Sequence, residues 1–134
     1  MTTDPAPRVF ADTAAAERNA AVVRRFFAEV LAPPHDLGRV NDLVATDFVD
    51  HTPDGRDPGR AGVAAKLRTL FTADPGATFF LESIVAAGDR VAAFSELRTT
   101  QTGGSSGGSA RFADLYVVRD GRIAEHRHVV SPPA

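Results

Sequence analysis

A change of hydrophobic period near position 77 constrains this fold more than any other feature of the chain. Before it, apolar residues recur every three or four positions. In "VVRRFFAEVL", Val23, Phe26, Phe27, Val30 and Leu31 keep the i, i+3, i+4, i+7, i+8 spacing of a single helical face. After it, "TFFLESIVA", "RVAAFSELRTTQ", "SARFADLYVVR" and "RIAEHRHVV" alternate with a period of two, as strands with one buried face do. Helices first and strands afterwards dictate an α+β domain, an antiparallel sheet with helices packed on one face.

The punctuation sets the boundaries. Asp12 or Thr13 can cap the first helix, and Pro33-Pro34 forbids its continuation. A second helix is expected over about residues 37 to 45, capped by Asp36, with Val40, Leu43 and Val44 inward. "TDFVDHTPDGRDPGR" carries two X-Pro steps and several Asp and Gly residues, so it reads as a loop that places His51 just after Phe48 and Val49. A third helix over about residues 60 to 72 turns Val63, Leu67, Leu70 and Phe71 inward. Residues 1 to 13, with Pro5, Pro7 and no periodicity, read as a flexible N-terminal tail, and residues 14 to 131 as one domain. The 134 residues suffice for a single core that buries roughly two thirds of the unfolded surface. "GGSSGG" at residues 103 to 108 has linker composition, but it joins two strands of the same sheet and is kept as a loop.

Composition excludes several function classes. A net charge of −2 gives no electrostatic reason to bind nucleic acid or an anionic membrane. The absence of cysteine removes disulfides, thiolate zinc sites and cysteine nucleophiles, and suits a reducing cytoplasm. No apolar run approaches the ~20 residues that span a bilayer, and the N-terminus lacks the pattern of a secretory signal. Neither a phosphate-binding glycine loop nor a nucleophile elbow is present.

One carboxylate stands out. Asp114 lies inside the third strand, in phase with Phe112, Tyr116 and Val118, where an uncompensated charge would cost several kcal/mol. If Asp120-Gly121 is a two-residue type I′ turn, regular pairing places Val118 opposite Ile123, Tyr116 opposite Glu125, and Asp114 opposite Arg127. Asp114 and Arg127 would then form an ion pair on the inner face, with His126 and His128 on the outer one. Two readings follow from this register: a structural polar ladder, or the floor of a cavity in which Asp114 acts as a general base. His126 and His128, two apart on a strand, share a face and could ligate zinc. With no thiolate and no third ligand at a diagnostic spacing, no metal is expected. Ser95, in mid-strand, offers a pocket hydroxyl.

"VRRFFAEVL", "LVATDFVDHTP", "GRAGVAAKLRTLF", "VAAGDRVAAFSEL" and "ADLYVVRDGRIAEH" together resemble the SnoaL-like polyketide cyclase family, within the ketosteroid-isomerase-like and nuclear-transport-factor-like superfamily. The resemblance covers roughly residues 20 to 130. It implies a cone-shaped, strongly curved antiparallel sheet around three helices, an internal pocket, and a homodimer through the outer face of the sheet. It further implies a cofactor-free enzyme acting on a small hydrophobic carbonyl compound, by intramolecular aldol closure or a related isomerase or lyase reaction. Asp114 matches the acid/base aspartate of the family, and His51, expected beside it in the catalytic set, matches a polar pocket position that can assist substrate binding. Tyr116, Arg127, Ser95, Phe26 and Phe112 are the residues expected to meet the substrate. Epoxide hydrolysis, with Asp114 and Arg127 around a water, and a non-catalytic ligand-binding or dimerisation domain are the alternatives.

Overall fold

The computed structural model describes residues 6–51, 59–102, 105–106 and 108–130. Its first element is a short strand, β1 (Arg8–Ala11), which pairs in parallel with β3 (Thr78–Ala87). That pairing corrects the expectation of a tail through residue 13. Helix α1 (Ala14–Glu29) starts at Thr13, whose hydroxyl accepts a hydrogen bond from the Ala16 amide at 3.1 Å. Val23, Phe26 and Phe27 are buried on its inner stripe, and Val30 and Leu31 continue the stripe beyond its end. The Leu31 carbonyl accepts from the Phe79 amide at 2.9 Å, tying the helix exit to β3.

The second helical segment is shorter than its sequence suggested. A 3-10 turn over Leu37–Arg39, capped by the Asp36 side chain, leads into α2 (Val40–Leu43). Val44 then enters an extended segment, β2 (Val44–Asp50), where a loop was expected. Its burial pattern explains the difference: Val44, Phe48 and Asp50 are in phase and buried, so this stretch has a strand's period despite the Pro and Gly residues that follow. The remainder of the expected loop, residues 52 to 58, lies outside the described residues. Helix α3 (Gly59–Ala73) buries Phe71 and half-buries Val63, Leu67 and Leu70.

The chain then builds β3, β4 (Arg90–Arg98), β7 (Ser109–Arg119) and β8 (Arg122–Val130) as an antiparallel run. Within the Gly/Ser-rich segment, β5 (Gln101–Thr102) pairs with β6 (Ser105–Ser106) as a separate small ladder. The main sheet has the order β1-β3-β4-β7-β8-β2. Both edges, β1 and β2, join in parallel, so the sheet is mixed and not purely antiparallel. Register shifts in β3 near Glu82 and in β8 near Ala124 curve it. Ile84, Val91, Ala93, Val118 and Ile123 turn inward to meet α1 and α2 in one core. Among the described residues, no helix is long and apolar enough to cross a membrane.

Candidate active site

The β7–β8 turn is the type expected. Asp120 (φ 52°) and Gly121 (φ 76°) both sit in the left-handed region that a type I′ turn requires. Arg119 pairs with Arg122 and Val118 with Ile123, as regular pairing predicts. Then the ladder slips. Val117 pairs with Glu125, leaving Ala124 as an extra residue, a β-bulge. Ile123 and Ala124 are consecutive yet both buried, which a regular strand does not allow.

A one-residue slip turns every later side chain to the other face. Tyr116 now faces His126, Leu115 faces Arg127, and Asp114 faces His128. Arg127 is therefore exposed on the outer face, and the expected Asp114–Arg127 ion pair is not formed. His126 and His128, expected to look outward, point into the fold instead.

Inside, Asp114 is 8 % exposed. Its Oδ1 accepts from His126 Nε2 at 2.7 Å, and among the described residues its second oxygen has no hydrogen-bond partner. The other ring nitrogen of His126, Nδ1, donates to Asp50 Oδ1 at 3.1 Å. Both ring nitrogens thus meet carboxylates. Burial alone would lower the pKa of His126, but hydrogen bonds to Asp114 and Asp50, then their charges, outweigh it and raise the value to about 9. The ring is an imidazolium clamped between two carboxylates, and both bonds are charge-assisted.

Aromatic rings extend this cluster along the sheet. Tyr116 stacks on His126 with centroids 4.9 Å apart, and His126 on His128 at 5.3 Å. Phe112 lies 5.9 Å from His128. Burial, and then the charges of Asp114 and Asp50, push the Tyr116 phenol well above its ordinary pKa, so it remains a proton donor.

These groups face a cavity of about 200 Å³. Its remaining walls are apolar, with Phe26 and Leu31 at the end of α1, Phe48 on β2, and Leu67 and Leu70 on α3. Lys66, exposed on α3, adds a cation at its wall. Of the residues anticipated for the site, Asp114, Tyr116, Phe26 and Phe112 line the cavity. Ser95 is buried in phase with Val91 and Ala93 but does not line this cavity, and its hydroxyl is unpartnered among the described residues.

His51 also stands apart. It follows Asp50 on β2, so strand alternation sends the two side chains to opposite sides, and it is Asp50 that enters the cavity. The His51 ring instead bonds Glu125 Oε1 at 3.0 Å, and Glu125 also accepts from Arg119 at 2.6 Å. Those two hydrogen bonds, from His51 first and then Arg119, lower the pKa of Glu125. Asp50, His126 and His128 are the site members that sequence reasoning missed. The alternation of Phe48 and Asp50 was a usable signal for the first. Nothing local announced the bulge that brings in the two histidines.

A SnoaL-like domain family model matches residues 9–126. Among solved structures, a candidate polyketide cyclase of Bacillus cereus superposes with a TM-score of 0.79 at 23% identity, covering 94% of this chain and 86% of that one. IdmH of Streptomyces antibioticus, also described as a candidate polyketide cyclase, gives 0.74 at 23% identity over 84% of this chain and 91% of its own. AclR of Streptomyces galilaeus, described as a candidate hydroxylase, gives 0.72 at 22% identity over 87% and 80%. At these identities the structural likeness establishes the fold alone. No curated protein matches the chain in sequence.

Proposed function

Because this chain belongs to the SnoaL-like domain family, we propose that it is an enzyme acting on a small hydrophobic carbonyl compound, with Asp114 as its acid/base and intramolecular aldol closure as its reaction. One observation carries the reading: a buried carboxylate faces a cavity whose other walls are largely apolar, held through one oxygen by His126 at 2.7 Å, with its second oxygen left for a substrate. Withdrawal from water strengthens each electrostatic contact there. Asp114 takes a proton from the carbon next to a carbonyl, and the enolate carbon attacks a second carbonyl of the same molecule. A C–C bond forms, and the resulting alkoxide takes the proton back from Asp114. Tyr116, held protonated, is the available donor to the enolate oxygen. Asp50 is a positioning residue that fixes the His126 ring and, through it, Asp114.

Epoxide hydrolysis with Asp114 and Arg127 flanking a water loses its geometric basis, since Arg127 lies on the outer face. A binding domain without chemistry is separated by experiment. Asp114→Asn keeps the side chain's shape and removes its basicity. Across a panel of linear and partly cyclised polyketones, kcat should fall by about 10² to 10⁴-fold while the thermal transition is retained. Full turnover in that variant refutes the role of Asp114, and saturable binding without Asp114-dependent turnover favours the binding domain.

The same reading includes a second copy of the chain against the outer face of the sheet. Phe10 (57 % exposed), Val85 (48 %), Phe94 (41 %) and Val129 (72 %) are apolar and face outward there. Light scattering on the purified protein tests it, with a dimer the expected result and a monomer the contrary one.

A further inference from the structure

We propose that Asp114, His126 and His128 form a binding site for one divalent transition-metal ion, with Asp50 as its outer support. The three side chains come from two adjacent strands. Asp114 and His128 are direct cross-strand partners, and His126 shares their face two residues earlier. One ligand atom from each lies within 4.8 Å of the others, and all three residues face the same cavity.

The spacing suits a metal. Bonds of about 2.0–2.2 Å from nitrogen and oxygen place neighbouring donors of a tetrahedral ion about 3.3 Å apart. Asp114 and His126 approach to 2.7 Å, and the three ligand atoms all lie within 4.8 Å of one another, a range that includes that value. Two imidazoles and one carboxylate are the ligands of borderline ions such as zinc or ferrous iron, and three protein ligands leave coordination positions open toward the cavity.

Asp50 is the second observation. Histidines that bind metals are oriented by a carboxylate or carbonyl on the far ring nitrogen, and Asp50 holds His126 Nδ1 at 3.1 Å while Nε2 points at Asp114. Charge agrees as well. Asp114 and Asp50 stand on either side of the His126 ring, so the site gathers two carboxylates whose charge one dication balances. A metal and the shared proton compete for the same oxygen–nitrogen pair, so this site goes beyond the acid–base reading and is tested without turnover.

The test is a Co²⁺ titration of the full chain after removal of metals with EDTA, followed by visible absorption. One equivalent should bind with the d–d bands of a nitrogen-ligated ion. His128, which makes ring contacts and no hydrogen bond among the described residues, can be changed to Gln with little risk to folding. His128→Gln should weaken Co²⁺ at least tenfold, and Asp50→Asn, which touches no metal, by about 10–100-fold. His35→Gln, at a ring stacked on Phe71 away from the cavity, should change nothing. No saturable signal, or equal affinity in wild type and His128→Gln, overturns the proposal, as does loss of the signal in a folded His35→Gln variant. Turnover in EDTA reads the acid–base proposal separately.

Discussion

Raising the pH should remove a large, identifiable part of this protein's stability. The pKa of His126 is about 9 in the folded chain against 6.5 for a free histidine, a gap worth roughly 3 kcal/mol. The direction follows from which state holds the proton longer. An unfolded chain releases it near 6.5, whereas the folded chain keeps it until about 9, because Asp114 and Asp50 bond the charged ring. The contribution is therefore complete below pH 6.5, declines through the interval between the two values, and is gone above 9. Urea unfolding in EDTA, repeated across that interval, should show the midpoint falling with a constant slope. Asp50→Asn keeps an acceptor oxygen for the ring but removes one of the two negative charges that hold its proton, so its curve should flatten and the His126 resonance in nitrogen-correlated NMR should titrate lower. His51→Ala should leave the resonance in place, since His51 pairs with Glu125. A wild-type midpoint that does not move, or a His126 that titrates near 6.5, refutes the clamp.

The remaining predictions concern the scaffold. Ser95 carries a buried hydroxyl with no partner among the described residues, so Ser95→Ala should raise stability by about 1 kcal/mol. A loss of that size by denaturant titration would mean that the hydroxyl is satisfied. Gly121 has φ 76°, and a Cβ there would meet no atom within 4 Å, so Gly121→Ala should cost about 1 kcal/mol from backbone strain alone. An unchanged urea midpoint would show that the turn relaxes into another type.

Much of the fold was legible because its determinants are local. The α1 stripe, the Thr13 cap and the four long strands each follow from the spacing of residues within one segment. The Asp120-Gly121 turn was equally plain, since only a few residue types accept two left-handed positions in succession. The edges were harder. β1 and β2 exist because β3 and β8 offer them unpaired backbone, a condition set by strands about 75 residues away in sequence. Local composition pointed elsewhere: prolines before Arg8, and prolines and glycines after Asp50, read as irregular chain.

The site divides in the same way. Sequence alone determined that a carboxylate at Asp114 sits on an inward, aromatic face of a strand, because alternation is a property of the strand itself. Tertiary structure decided its partner. Extrapolating the ladder from the turn set Arg127 across from Asp114, and a single bulged residue, Ala124, replaced that arginine with two histidines. A bulge forms where burial of Ile123 and Ala124 and the carboxylates of Asp50 and Asp114 jointly favour the shifted register. Those gains belong to contacts between β2, β7 and β8, and pairing rules within one hairpin do not contain them.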